Sequence, residues 1–261
     1  MKNGGNFAIT AKKLSQAIPK IPHIFLEEIM IRKVYVESVF GNAQRTSYDY
    51  MKLLNNKTSG NFKTLVVDDK DGLHSIPFAN HESKVVMYEP NEIYINGGAI
   101  DDFNITPITN RKYYKQYESK IEIRNTNFYE SRIEEKYDFV YCYRSLHESH
   151  NKKIPMKRKI RKLLSSVKDD GYIYIFYHMA KNEKDISNFS RNQYFRKGEM
   201  KSYFDPRVWD IITIIENDHC TIHKGHPYHK NDHEHIVGHI FAKKKNTRLV
   251  HKYYYEIIGV T

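Results

Sequence analysis

The sequence is poor in cysteine and has no long apolar segment. Its 261 residues include two cysteines, Cys142 and Cys220, which are too few for a disulfide framework and form no CxxC pair for a zinc ribbon. The longest apolar runs, Gly171–Tyr177 and Ile211–Ile215, are far shorter than the roughly 20 residues that a helix needs to cross a bilayer. The N-terminus has no apolar stretch typical of a secretion signal. We therefore expect a cytoplasmic protein of a reducing compartment with no membrane partner.

The chain has enough apolar residues for a folded core, and it carries an excess of positive charge. Hydrophobic residues make up 40% of the sequence and aromatic residues 13%, more than a disordered basic tail contains. Lysine and arginine number 42 and aspartate and glutamate 31, which gives a net charge of +11. The positive charge is densest in residues 152–162 and 243–252. Such segments attract nucleic acid through counterion release, although a basic face on a protein with a small substrate has the same composition.

The first 60 residues are predicted to form a helical extension. Apolar residues recur at mostly helical spacings between Pro22 and Gly41, and glycine is a typical residue at a helix end. A second short helix is predicted for Ser47–Leu54. We therefore expect two parts, a helical extension at residues 1–60 and a larger domain at residues 61–261.

From residue 61 the sequence alternates between short apolar runs and segments long enough for helices. The run Lys63–Asp69 is rich in β-branched residues and ends in acids, and Lys84–Glu89 repeats this design. Pro155–Val167 is the clearest helix between two such runs. Further strands are predicted at Ile121–Arg124, Asp138–Tyr143 and Gly171–His178. This βαβ alternation predicts an α/β fold with a doubly wound, mostly parallel sheet.

The end of the chain departs from this alternation. Trp209–Glu216 and His235–Lys243 are both typical of strands, and the polar segment between them has no helical pattern. We predict that they pair as an antiparallel hairpin, which brings the sheet to seven strands with one antiparallel strand at its edge. Residues 247–261 are predicted to add a last strand or helix, or else to provide a contact surface for a partner.

The turn after the first predicted strand resembles the cofactor loop of the class I S-adenosylmethionine-dependent methyltransferases. In the stretch LVVDDKDGLHSIPFAN a strand ends in acids, a turn with glycine follows, and a helix begins. The resemblance implies that the cofactor contacts this turn, where the candidate residues are Asp68, Asp69, Asp71 and Gly72. The family has two or three glycines in this loop, whereas this turn has Gly72 alone, with Lys70 where the family has glycine. An ordinary βα turn is the alternative interpretation.

Two further stretches resemble the family's cofactor motifs. In KVVMYEP, the resemblance implies that Glu89, at the tip of the second strand, accepts hydrogen bonds from both ribose hydroxyls of the cofactor. In IEIRNTNFYE, it implies that Asn127 reads the adenine amino group and that Phe128 packs on the base. Without the resemblance, these residues are a surface glutamate at a strand end, a loop asparagine and a core phenylalanine.

The stretch YDFVYCYRSLHES resembles the family's fourth strand and catalytic loop, including a Leu-His pair. The loop offers Arg144 for substrate binding and His147, Glu148 and His150 as bases, and His147 is our candidate for the catalytic residue. A structural histidine at the pocket wall is the alternative for His147. With the downstream similarity to small methyltransferases of the tellurite-resistance type, the resemblance covers residues 61–245.

The methyl acceptor is harder to infer. The strand-four region has neither the Asp/Asn-Pro-Pro-Tyr/Phe run used on base amino groups nor a Pro-Cys pair for attack on cytosine. The positive charge favours nucleic acid, RNA in particular, with Lys157, Arg158 and Arg161 as candidate contacts. Two alternatives stay open: a methyltransferase-like domain that no longer uses its cofactor and serves as a nucleic-acid-binding or regulatory subunit, and a different nucleotide-binding Rossmann enzyme.

Histidines are concentrated between His219 and His239. His219, His223, His233 and His235 have spacings that a tetrahedral zinc site could use. These spacings match no established zinc module, so we predict a polar hairpin loop and no metal.

Overall fold

The computed structural model describes residues 62–80, 83–100, 103–181, 193–217, 221–223, 231 and 233–246. The helices predicted within residues 1–60 and the last element predicted for residues 247–261 lie outside this part. The described residues belong to the predicted α/β domain.

Strands and short helices alternate through the described part of the chain. The strands are β1 (Lys63–Val67), β2 (Lys84–Tyr88), β3 (Gly98–Ile100), β4 (Phe103–Ile105), β5 (Ile121–Arg124), β6 (Tyr137–Tyr143), β7 (Val167–Met179), β8 (Trp209–Glu216), β9 (Thr221–His223) and β10 (His233–Lys244). The α-helices are α1 (Ser75–Asn80), α2 (Glu92–Asn96), α3 (Lys112–Tyr117) and α4 (Met156–Ser165).

Seven of these strands form the main sheet, in the order β5-β2-β1-β6-β7-β10-β8. The strands β5, β2, β1, β6 and β7 are parallel to one another, and β10 runs antiparallel to both β7 and β8. The strand β9 pairs with β10, and β3 and β4 form a separate two-stranded sheet. The predicted mostly parallel, seven-stranded sheet with an antiparallel hairpin is confirmed.

The antiparallel strand is not at the edge, where the sequence pattern predicted it. The strand β10 lies between β7 and β8, so that Ile240 faces Ile175 on one side and Ile214 on the other. Ile240 and Ala242 are fully buried, as an interior strand requires. The strand β8 forms the edge instead, and Ile212 on it is 52% exposed.

The strand β7 begins at Val167 and not at the predicted Gly171, because Asp169 and Asp170 are part of the strand. The pairing of β6 with β7 shifts register between Tyr137 and Phe139, and Asp170 has a left-handed backbone with φ 63°. Asp169 and Asp170 pair with lysines at the end of β10, at 3.0 Å in each case. The two acids therefore join neighbouring strands instead of marking a loop.

Helix α4 packs its apolar face on the sheet but places a lysine among the buried side chains. Met156, Ile160 and Leu163 are in the core, and the intervening Lys159 is completely buried. Its ammonium group donates to the carbonyl oxygens of Leu146 and Asn151, which belong to the loop after β6. Burial lowers the pKa of Lys159 from 10.5 to about 8.

We predict that Lys159 makes the free energy of unfolding rise with pH between about 8 and 10.5. Across this range the unfolded chain binds a proton at this lysine that the folded protein does not bind, so raising the pH favours the folded state. Relative to Lys159→Met, the wild type should gain up to about 3 kcal/mol of stability across this range.

Urea unfolding of both proteins at pH 7.5 and at closely spaced higher pH values measures this difference. Lys157→Met, which changes an exposed lysine of the same helix, is the matched control. A constant difference between wild type and Lys159→Met across the range would show that the buried ammonium does not titrate there.

Candidate functional site

The turn after β1 has a left-handed backbone at three positions. The φ angles are 55° at Asp68, 62° at Lys70 and 86° at Gly72. A Cβ atom on Gly72 would lie 2.6 Å from Cδ1 of Ile108, so the glycine is required by close packing as well as by its backbone. The turn thus has three residues in the left-handed region, although only one of them is a glycine.

Two of the acids in this turn support the fold. The carboxylate of Asp69 accepts hydrogen bonds from the backbone N–H groups of His74, at 2.9 Å, and Ser75, at 2.7 Å, where α1 begins. Burial raises the pKa of Asp69 to about 7 in spite of these bonds. Asp71 is fully buried and forms an ion pair of 2.7 Å with Arg111. These contacts explain both side chains without a ligand.

Asp68 holds the loop after β6 against the turn after β1. Its Oδ2 atom accepts hydrogen bonds from Ser145 Oγ at 2.6 Å and Asn151 Nδ2 at 2.7 Å, and lies 3.2 Å from His150 Nε2. Its Oδ1 atom is buried and has no hydrogen-bond partner among the described residues. A buried carboxylate oxygen of this kind needs a donor from a bound molecule or a water.

Glu89 occupies the tip of β2, next to Asp68. It is 1% exposed, and its two carboxylate oxygens accept hydrogen bonds from the backbone N–H groups of Lys70, at 2.7 Å, and Asn91, at 2.9 Å. Burial and the negative charge of Asp68 raise the pKa of Glu89 well above its usual range, against the effect of these bonds. Each oxygen keeps a second lone pair, so that the carboxylate can accept hydroxyl groups from a ligand.

These residues line a cavity of about 470 Å³ at the carboxyl ends of β1 and β2. The cavity lies beside the boundary between β1 and β6, where the winding direction of the sheet reverses and where open α/β sheets bind their ligands. Its volume is that of a small-molecule site. Three segments form its walls, namely the turn with Asp68 and Lys70, the segment after β2 with Glu89, Pro90, Asn91, Glu92 and Tyr94, and the loop after β6 with Glu148, Ser149 and His150.

The cavity walls are mainly acidic. They carry the carboxylates of Asp68, Glu89, Glu92 and Glu148, whereas Lys70 is the one lysine or arginine among the lining residues that the structure describes. The Lys70 ammonium lies 3.1 Å from Oε1 of Glu148, and each of the two side chains is 12% exposed. The walls therefore favour a ligand with positive charge.

The two histidines of the loop after β6 have different surroundings. His147 is half-buried, stacks on His178 with ring centroids 3.7 Å apart, and is not among the residues that line the cavity. His150 lines the cavity and contacts Asp68. Burial favours the neutral form of His150, but the hydrogen bond and charge of Asp68, with the charge of Glu148, outweigh it and raise its pKa.

Asn127 and Phe128 lie outside the cavity wall. Asn127 accepts a hydrogen bond from the N–H of Tyr129 at 2.9 Å and donates to Oδ1 of Asn151 at 3.0 Å. Phe128 is 2% exposed and packs edge-on against Tyr88, with ring centroids 5.2 Å apart. Their roles toward adenine stay predictions, and these contacts correspond to the alternative of a loop asparagine and a core phenylalanine.

The basic residues fall into three groups. The Arg144 guanidinium lies 5.2 Å from the centre of the Tyr143 ring, in a cation–π contact. The lysines of 243–245 form ion pairs with Asp170, Asp169 and Asp210, so that their charge is locally balanced. Lys157, Arg158 and Arg161 are exposed on α4. Of the two predicted basic segments, the one at 152–162 therefore has the more accessible charge, while residues 247–252 lie outside the described part.

The histidine-rich segment is described only in part. His219 lies outside the described residues, and the backbones of His223 and His233 are register partners in the β9–β10 pair. Within the described part of the chain, no group of three or more His, Cys, Asp or Glu residues is placed to hold a metal ion.

Sequence reasoning did not identify the Lys70–Glu148 pair, and it named His150 only as one of several bases. The proximity of Lys70 to Glu148 depends on how two distant loops meet, and no local pattern indicates it. In the described residues, no helix is long and apolar enough to cross a membrane.

Comparison with known proteins gives matches at the level of structure. No protein-family model matches the sequence, and no curated protein matches it. The structure of TehB from Haemophilus influenzae matches 77% of this chain with 17% identity and a TM-score of 0.58, and the match spans 62% of TehB, less than two thirds of its length. YcgJ from Bacillus subtilis matches 78% of this chain and 99% of its own, with 9% identity and a TM-score of 0.50.

The N-methyltransferase NodS from Bradyrhizobium japonicum, in complex with S-adenosyl-L-homocysteine, matches 85% of this chain and 97% of its own, with 8% identity and a TM-score of 0.49. At such identities a structural match concerns the fold, and function has to be argued from the site. By its strand order and its likeness to TehB, the described part of the chain has the fold of the class I S-adenosylmethionine-dependent methyltransferases.

Proposed function

We propose that this protein binds S-adenosylmethionine in the acidic cavity and transfers its methyl group to an acceptor. The observation that supports this most directly is the position of Glu89, whose buried carboxylate lines the cavity at the tip of β2. A carboxylate at this position suits the two neighbouring hydroxyls of a ribose. The fold is compatible with the proposal but also occurs without this activity.

The charge of the cavity supports the same ligand. S-adenosylmethionine carries a sulfonium and an ammonium group, and both are attracted to walls that contain the carboxylates of Asp68, Glu89, Glu92 and Glu148. The buried Oδ1 atom of Asp68 needs a hydrogen-bond donor, which an ammonium group supplies. In the proposed complex, Asp68 binds the ammonium group and Glu89 binds the ribose.

A methyltransferase-like domain without a cofactor is the second candidate function, and the Lys70–Glu148 ion pair is the observation that favours it. The pair joins two walls of the cavity at 3.1 Å and places a lysine side chain where the resembling family has glycine. In this alternative the Lys70–Glu148 ion pair blocks the cofactor from the cavity. The protein then serves as a nucleic-acid-binding or regulatory subunit. Cofactor binding therefore separates the two functions.

We predict that Glu89→Gln weakens the binding of S-adenosylmethionine by about 1.5–3 kcal/mol, because the variant loses a charged hydrogen-bond acceptor while keeping its size. Calorimetry with S-adenosylmethionine and S-adenosylhomocysteine measures the change. Glu122→Gln, at an exposed position on β5, is the control.

Equal affinity in wild type and Glu89→Gln would remove Glu89 from the binding site. The absence of binding by the wild type would instead support the second candidate function. Circular dichroism of each variant checks that the fold survives.

The chemical step requires positioning and, for an acceptor that carries a proton, a base. The resemblance assigns this role to His147, and the position of His150 on the cavity wall makes it the other candidate. The contact with Asp68, 3.2 Å away, orients the His150 ring and favours its charged form. Ala variants of the two histidines can therefore be compared directly.

We predict that replacing the histidine that serves as the base lowers kcat by about 10²–10⁴-fold and leaves cofactor affinity nearly intact. If this histidine is His150, the rate should fall as the pH drops through a value above 6.5, because its pKa is raised and only the neutral imidazole accepts a proton. Transfer of a tritiated methyl group to total RNA, followed across pH, measures both effects. Normal turnover by both Ala variants would mean that positioning alone suffices.

RNA is the acceptor class that we propose, on the basis of charge. Lys152, Lys153, Lys157, Arg158 and Arg161 are all exposed and lie in or just before α4. This helix follows the loop that supplies one wall of the cavity. The basic surface of this helix could hold the phosphate backbone of an RNA substrate.

We predict that RNA binding weakens steeply as salt rises and that charge reversal at Lys157, Arg158 and Arg161 reduces the slope of log K against log salt by about two to three. Fluorescence anisotropy with a labelled single-stranded RNA measures the slope. Charge reversal at Lys243, Lys244 and Lys245, which form ion pairs with acids, is the comparison and should change the slope less. Binding that does not depend on salt would direct the search to a small-molecule or protein acceptor.

A further inference from the structure

Lys70 is held in place at the edge of the cavity by its backbone. Its N–H donates to Oε2 of Glu89 at 2.7 Å, and its φ of 62° is a left-handed conformation that disfavours residues with a Cβ atom. Glycine would take this conformation without strain. Because glycine would fit this backbone better, the presence of lysine at this position is best explained by an interaction of its side chain.

The side chain of Lys70 supplies a positive charge to a cavity whose described walls carry more acidic than basic residues. Its ammonium contacts Glu148 on the opposite wall at 3.1 Å, and both side chains are largely buried. The other acids on the walls, Asp68, Glu89 and Glu92, would repel a ligand carboxylate. Of the two basic residues described on the walls, Lys70 and His150, His150 already contacts Asp68, so a ligand with both an ammonium and a carboxylate is accommodated best with its carboxylate near Lys70.

We propose that Lys70 is a specificity-determining residue that recognises the α-carboxylate of the bound ligand. This inference rests on the proposed function, in which the ligand is S-adenosylmethionine. On binding, the ligand carboxylate replaces that of Glu148 as the partner of the Lys70 ammonium, and the preference for a ligand with a carboxylate reports how much stronger the new ion pair is than the Lys70–Glu148 pair. The ion pair that joins two walls of the cavity is thus exchanged for the contact that selects the ligand.

The exchange also affects the loop after β6. Glu148 and His150 lie in the same loop, and the charge of Glu148 favours the protonated form of His150. Once Lys70 binds the ligand, His150 is the other basic residue among the described residues of the cavity wall.

Decarboxylated S-adenosylmethionine is the probe that tests this inference, because it keeps the adenosine, sulfonium and ammonium groups and lacks only the carboxylate. We expect the wild type to bind S-adenosylmethionine about tenfold or more tightly than the decarboxylated compound, the preference that one charged hydrogen-bond pair provides. In Lys70→Gly the preference should fall to about twofold or less, and in Lys70→Arg most of it should return. Calorimetry with both compounds gives the ratio for each protein.

Lys70→Gly is suited to this test because glycine fits the left-handed backbone, so the variant should fold. Glu148→Gln removes the competing carboxylate, so it should bind S-adenosylmethionine more tightly and show a larger preference for it over the decarboxylated compound. Lys201→Met, at an exposed position outside the cavity, should leave both affinities unchanged.

The outcomes separate the two claims. An unchanged preference in Lys70→Gly, with S-adenosylmethionine still bound, overturns the role of Lys70 and leaves the proposed function standing. Equal affinity of the wild type for the two compounds also overturns the role of Lys70 and leaves the proposed function standing. Binding of neither compound by the wild type overturns the proposed function and, with it, this inference.

Discussion

The carboxylate of Asp68 connects the two loops between which the cavity lies. The backbone of Asp68 belongs to the turn after β1. Its Oδ2 atom accepts hydrogen bonds from Ser145 and Asn151 and contacts His150, and all three residues belong to the loop after β6. A buried charge is stable only when several donors surround it, so this contact fixes the loop against the strand ends. The buried ammonium of Lys159 also holds this loop, because it donates hydrogen bonds to two backbone carbonyl oxygens of the loop.

Of the three acids in the turn after β1, two stabilise the fold and one lies at the candidate site. Asp69 caps α1, Asp71 pairs with Arg111, and Asp68 connects the loops. In the sequence the three acids look alike, and the family resemblance groups them as cofactor contacts. Only their hydrogen-bond partners distinguish them, and these partners lie up to 83 residues away along the chain.

The fold was predictable because its strands are encoded locally. The predicted strands at Ile121–Arg124 and Trp209–Glu216 coincide with β5 and β8, since the β-branched and apolar residues that favour a strand follow one another along the sequence. The neighbour of each strand is not encoded in this way, and for this reason the sequence pattern predicts an antiparallel strand at the edge, whereas β10 lies inside the sheet. The site was less predictable still, because the contacts of Lys70, His150 and Asn127 depend on side chains brought together from separate loops.

The insertion of β10 between β7 and β8 has a consequence for the order of assembly during synthesis. In the described part of the chain, β8 pairs only with β10, which is made later and must first find its place beside β7. At Gly238, β10 passes so close to Tyr177 that an added Cβ would lie 2.3 Å from its ring, which makes this docking sensitive to a single methyl group. On a ribosome, β8 therefore leaves the exit tunnel as an unpaired strand and stays unpaired while about 20–30 further residues are added, which takes a few seconds at about 5–20 residues per second.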